Sequence, residues 1–195
     1  MIKARTVLPS DKRFRMGGYL FLVSLFIFFI SSILLYAIYA QTRRDDPQTQ
    51  LPLPMTFLVS TACLLLISVM MHLATRTIRR EKRTATCLWL SISAVSAALF
   101  MGVQFQAMSQ MLGGPAFLGG MAKGVVGMVF VLAFLHALHV AGGVVALGLV
   151  ATRSLNGQYD HERHWPVDFA AQYWHFLDGI WICMLAAFWW TTGGF

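Results

Sequence analysis

Along this chain, long apolar runs alternate with short polar, charged or proline-containing connections. The runs fall at about 17–40, 53–75, 86–112, 122–152 and 167–192. Each exceeds the roughly 20 residues that a helix needs to cross the hydrocarbon core of a bilayer. The pattern therefore predicts an all-α membrane bundle of five transmembrane helices. Residues 1–16 form a basic tail, and residues 17–195 form one membrane domain. The first run, Gly17 to Ala40, is too long for the apolar region of a signal peptide, about 7–15 residues, and reads as a retained helix.

Composition supports the same class. Hydrophobic residues make up 57% of the 195 and charged residues 12%, and the mean hydropathy is +0.65. A soluble domain carries about 25% charged residues, so this chain lacks the charge to cover itself in water. Soluble, disordered, coiled-coil and disulfide-scaffold classes are excluded. Cys63, Cys87 and Cys183 have no metal-binding or disulfide spacing, and read as small buried hydrophobes.

The formal net charge of +7 does not indicate a nucleic-acid partner, because of where the charge lies. Lys3, Arg5, Lys12, Arg13 and Arg15 precede the first run. Arg76, Arg79, Arg80, Lys82 and Arg83 join the second to the third. The connection after the first run balances Arg43 and Arg44 with Asp45 and Asp46, and GGPAFLGG after the third is uncharged. Lys and Arg accumulate on cytoplasmic loops, which puts the N-terminus inside and, after five crossings, the C-terminus outside. Trp165, Trp189 and Trp190 then mark the two interfaces of the last span. Arg13, Arg15, Arg76, Arg79, Arg80 and Arg83 are suited to anionic lipid headgroups. They serve equally as topology determinants alone.

Ionisable groups at membrane depth are costly and so mark sites. His72, His136, His139, His175 and Asp178 qualify, and Gln104 and Gln106 add amides in the third run. His136 and His139 share one helix face, as do His175 and Asp178. At 1.5 Å per residue, His139 and Asp178 lie at roughly 20 and 18 Å from the inner ends of their helices, which makes them candidate partners. A haem or metal site, a proton relay and a satisfied polar packing cluster all fit these residues. Packing is the simplest of the three. The fourth run, rich in Gly and Ala, is expected at the centre of the bundle.

The strings FLHALHVAGG and QYWHFLDGIWICML resemble the paired signatures of the cytochrome c oxidase subunit III family. They match roughly F-H-G-L-H-V-x-x-G and W-Y-W-H-F-V-D-x-x-W. The resemblance places the family's residues on His136, His139, Tyr173, Trp174, His175, Asp178 and Trp181. LPLPMTFLVSTACLLLISVMMHLA and FLVSLFIFF are similar to two further family segments, so the likeness runs from Gly17 onward. Two departures stand out. The family's embedded Glu in this first helix falls on Leu25, and GVQFQAMSQM keeps Gln104 and Gln106 but lacks the following acid. The chain corresponds to the five-helix form of the family.

The resemblance implies a non-catalytic subunit with no haem or copper of its own, those cofactors belonging to partner subunits. It implies packing on subunit I of a haem-copper oxidase that reduces O₂ to water with cytochrome c or quinol as electron donor and moves protons. Stabilising subunit I, binding phospholipid and supporting proton uptake would be its tasks, beside the other oxidase subunits in a bacterial inner membrane. No small-molecule substrate of its own is expected. Two alternatives remain: the subunit-III-like protein associated with nitric oxide reductases, and a small b-type cytochrome or quinol module built on the histidines.

Overall fold

A computed structural model describes residues 9–43, 55–80, 82–113, 124–156 and 165–192. These form five helices: α1 (Pro9–Thr42), α2 (Thr56–Ile78), α3 (Arg83–Gly113), α4 (Val125–Leu155) and α5 (Trp165–Thr192). Their ends follow local chemistry. Pro9 and Pro166 stand in first turns, where a missing N–H costs no intrahelical bond. Asp168 occupies the first turn of α5, while Arg76 and Arg153 occupy the last turns of α2 and α4, each favourable to the helix dipole. Gly124 precedes α4 at φ 138°, a backbone state that residues with a Cβ rarely adopt. Helix α1 begins ahead of its apolar run, so Arg13 and Arg15 stand exposed on helix rather than on an irregular tail.

Four of the helices, α1 to α4, are long and apolar enough to cross a membrane among the described residues. All five expected helices are present, and α5 alone falls short of that apolarity. Helix α5 has 28 residues, so length is not what it lacks. Asp168, Gln172, His175, Asp178 and its several tryptophans dilute its apolar character. Asp178, Trp174 and Trp181 are buried where α5 packs against its neighbours, whereas Gln172, His175, Trp189 and Trp190 stand exposed.

Helices α2, α3, α4 and α5 form a closed ring in which each touches the next, and α1 lies in the groove between α4 and α5. The buried positions of α2 are Phe57, Ser60, Leu64, Ile67, Met71, Ala74 and Ile78. Those of α3 include Thr86, Leu90, Ser93, Ala97, Phe100, Gln104 and Ala107. In both helices the steps alternate between three and four, a 3.5-residue period that keeps one seam facing its neighbours and gives knobs-into-holes packing. Outside the seams stand exposed apolar side chains such as Leu20, Ile27, Leu35, Leu99, Phe105, Leu138 and Val145. A continuous apolar exterior of this kind belongs in lipid.

The central position expected of α4 is shared with α5, since each touches three helices. The small residues of α4 do not all serve packing. A Cβ on Gly143 would come within 2.9 Å of the Tyr173 ring, whereas Gly142 and Gly148 have open space. Close approach therefore needs Gly at one point of that stripe.

Candidate functional site

The polar residues picked out in the sequence occupy the ring interior, the seam with α1 and the outer edge of the α2–α5 contact. His136 points into the ring and is fully buried. Its imidazole stacks on Trp181 at 5.3 Å between centroids and 27° between planes, and meets the edge of Phe29 at 5.9 Å. Neither ring nitrogen has a hydrogen-bond partner in the chain. Gln104 of α3, also fully buried, has neither amide atom satisfied. Trp174 and Asp178 of α5 are buried as well, the indole N–H without a partner and the carboxylate with only the Ser68 hydroxyl beside it.

His139, three residues from His136, belongs to a different neighbourhood. Its Nδ1 bonds the Leu135 carbonyl one turn back at 2.7 Å, and its ring lies 5.1 Å from Phe29 of α1. The Tyr173 hydroxyl donates to the His139 carbonyl at 2.8 Å, joining α5 to α4. The depth match that nominates His139 as the partner of Asp178 therefore yields no hydrogen bond between them. Both imidazoles touch Phe29 of α1, and the three-residue step leaves only His136 against Trp181 of α5.

His175 faces outward beside α2, where its Nδ1 shares a hydrogen bond with the Ser68 hydroxyl. Ser68 also neighbours Asp178, and His72 lies close to His175 on the same outer edge. Thr61 and Ser68 stand seven residues apart on α2, just beside its buried seam. Thr61 accepts the Trp181 Nε1 hydrogen at 2.8 Å. Further down, Arg79 pairs with Asp168 at 3.1 Å. The α2–α5 contact is thus a polar ladder with three rungs. Thr61 and Ser68 carry two of them, and the sequence reading named neither. A hydroxyl recurring every seven residues beside an apolar seam is the signal that would have found them.

The predicted arginines divide. Arg76, Arg79 and Arg80, with His72 and Thr75, line an open pocket of about 330 Å³ at the end of α2. Arg13 and Arg15 are exposed on α1, and the Arg83 side chain lies outside the described residues. Leu25, at the position of the family's embedded acid, is buried in the α1 seam near Phe29. Among the described residues, no group of three or more His, Cys, Asp or Glu side chains is arranged to hold a metal ion.

Comparison with known proteins sets this arrangement in context. The family model for cytochrome c oxidase subunit III matches residues 3–192. Cytochrome c oxidase subunit 3 of Petromyzon marinus is 29% identical over 196 residues, covering 94% of this chain and 72% of the lamprey protein. The Salmo salar protein of the same name is 28% identical over 205 residues, and that of Scyliorhinus canicula 29% over 196, with the same coverage. With a family model matched along nearly its whole length, and with the resembling strings forming the α4–α5 contact, this chain belongs to the cytochrome c oxidase subunit III family.

Proposed function

We propose that the chain is the non-catalytic subunit III of a haem-copper terminal oxidase. In this reading it packs on subunit I, stabilises it, binds phospholipid and supports proton uptake. The observation that carries the reading is the family match over residues 3–192. The packing of the histidines supports it further. The His136 ring is covered by Trp181 and Phe29, His139 is tied to its own helix and to α1, and His175 turns outward to Ser68. An axial haem pair needs two imidazoles facing each other across a gap, and these residues do not fit one. Haem and copper are assigned to the partner subunits. Electron transfer and O₂ reduction would occur there, with this chain holding its neighbour and the surrounding lipid.

In the same reading α5 is the fifth crossing, with Asp178 buried against its neighbours. Loop charge favours the N-terminus inside and the C-terminus outside, in a bacterial inner membrane. The pocket of Arg76, Arg79 and Arg80 is a receptor for an anionic headgroup at the inner surface. Leu25 in place of the family's acid favours one second reading, association with a nitric oxide reductase.

Purification through a tag on the full chain tests these points together. Copurification of a haem-copper oxidase catalytic subunit is expected, with haem content per catalytic subunit unchanged in His136→Ala. Nitric oxide reductase subunits in its place would select the second reading, and loss of haem from an intact complex in that variant would reverse the non-catalytic assignment. For topology, a thiol from Arg80→Cys should react only from the cytoplasmic side and one from Gly194→Cys only from outside. Labelling of both from one side would refute the fifth crossing.

A further inference from the structure

Contacts around the ring set the register of its four helices. On the α3–α4 side, Cys87 reaches the Ser154 carbonyl at 3.3 Å. Counting up this antiparallel pair brings Gln104 level with His136. On the α2–α3 side, Thr77 meets Thr86 at one end and Thr56 meets Gln110 at the other, which sets Gln104 level with Thr61. Thr61 holds Trp181, and Trp181 stacks on His136. Gln104, His136 and Trp181 therefore share one level of the ring. Asp178 lies one turn toward the start of α5 and Trp174 one turn further, steps of about 4.5–6 Å.

Gln104, His136 and Trp174 are each 1% exposed and Asp178 is 6% exposed. Both polar atoms of Gln104 and of His136 lack a partner in the chain, as does the Trp174 indole N–H, and the Asp178 carboxylate has none beyond the neighbouring Ser68 hydroxyl. Nearby hydroxyls are largely committed: Ser60 donates to the Phe57 carbonyl, Ser93 to that of Trp89, and the Ser68 hydroxyl beside Asp178 is shared with His175. Leaving so many buried donors and acceptors unmet would cost an amount comparable with the net stability of a folded domain. Direct pairing cannot serve all of them. The Asp178 oxygens only accept when ionised, the Trp174 N–H only donates, and the levels are separated by a turn or more.

We propose that the ring interior is a hydration site, in which a small cluster of bound water joins Gln104, His136 and Asp178. Water is the one ubiquitous ligand that donates and accepts at once and spans gaps of this size. A buried water typically makes about three hydrogen bonds, so two or three molecules satisfy the set. The cluster ties α3, α4 and α5 together where the surrounding seam is apolar. The site depends on these side chains alone, and stands whether or not the oxidase assignment does.

Radiolytic labelling of the full chain, in its native complex in nanodiscs, tests this directly. Microsecond X-ray pulses convert bound water to hydroxyl radicals in place, and these oxidise adjacent side chains that bulk solvent cannot reach. Trp174 and Trp181 should be oxidised at least about fivefold faster in the wild type than in Gln104→Leu, which removes one anchor of the cluster. Phe188, equally buried near the far end of α5, should not change. If Gln104→Leu fails to assemble, His136→Phe preserves the ring stack on Trp181 and should lower the same labelling. Unchanged oxidation of both tryptophans in an assembled variant would overturn the proposal. So would wild-type labelling no faster than at Phe188 after correction for intrinsic reactivity.

Discussion

Helix α5 is held on two sides by different physics. Toward α2 it makes the polar ladder: Trp181 to Thr61, His175 to Ser68 and Asp168 to Arg79. Toward α1 the contacts are mostly aromatic. Phe21 stacks near Tyr173 at 6.2 Å, Phe169 fills the space left by Gly18, and Tyr36 meets the edge of Phe188 at 5.2 Å. One hydrogen bond, between the Tyr36 and Thr191 hydroxyls, closes that seam near the end of α1. In lipid, apolar burial distinguishes poorly between a neighbouring helix and an acyl chain. Hydrogen bonds at fixed spacing supply register, so the ladder specifies how the ring closes while the α1 seam supplies shape.

The largest effect should come from Trp181→Ala. This variant loses the bond to Thr61, the edge contact with Phe57 at 5.5 Å and the stack on His136. Destabilisation of about 3–5 kcal/mol is expected for truncating a buried aromatic of this size, read as loss of the chain from the purified complex. Retention equal to wild type would show that the ladder does not hold the ring.

Next in size is Leu25→Glu, which places an acid in the shape-dependent seam. An unpaired carboxylate at mid-membrane costs about 2.5–3.5 kcal/mol on insertion scales. Weakened assembly and no gain in sustained proton uptake are expected. Longer turnover in this variant would mean that the α1 seam accepts a functional acid after all.

Asp178 separates packing from proton transfer. Asp178→Asn keeps an acceptor and should be mild, whereas Asp178→Leu should cost about 1–3 kcal/mol through unmet polar groups in the ring. Retention and oxygen consumption measured in both variants decide the matter. Normal retention with abolished turnover in the Asn variant would make Asp178 a proton carrier.

Two smaller effects complete the comparison. Tyr36→Phe removes the hydroxyl pair with Thr191 and should cost about 0.5–1.5 kcal/mol, seen as easier proteolysis near α1 with the ring intact. Arg79→Gln breaks an ion pair whose arginine is 62% exposed, so the change in thermal stability should not exceed about 1 kcal/mol. A larger loss that depends on anionic lipid would point instead to the headgroup pocket.

Much of this arrangement was legible in the chain. Because crossing a bilayer imposes a length that few other constraints do, apolar runs located the five helices to within about three residues, except that α1 starts at Pro9, well ahead of its run. The burial of Gln104, His136 and Asp178 also followed from the cost of leaving such groups in lipid. Pairings were harder to read. His136 and His139 share a face by spacing and both touch Phe29 of α1, yet only His136 also stacks on Trp181 of α5. Asp178 and His175 both lie beside Ser68 of α2, yet one is buried and the other exposed. Spacing gives an angle around a helix axis, and it does not say which helix lies at that angle. The ladder hydroxyls were missed because Thr and Ser inside an apolar run are inexpensive enough to pass as filler.

Helix α1 runs parallel to α5, as the contacts of Gly18 with Phe169 and of Tyr36 with Thr191 show. This adjacency bears on the order in which the chain is made. Helix α1 is made before α5, yet much of its buried face is reserved for that later helix, and α2 likewise waits for α5 to close the ring. Until residues 165–192 are inserted, α1 has α4 as its main support. Termination before that point leaves Tyr36 without Phe188 and Thr191 and the ring open, a state with few of its specifying contacts. Insertion of α5 is therefore the step that commits the helices before it to this fold.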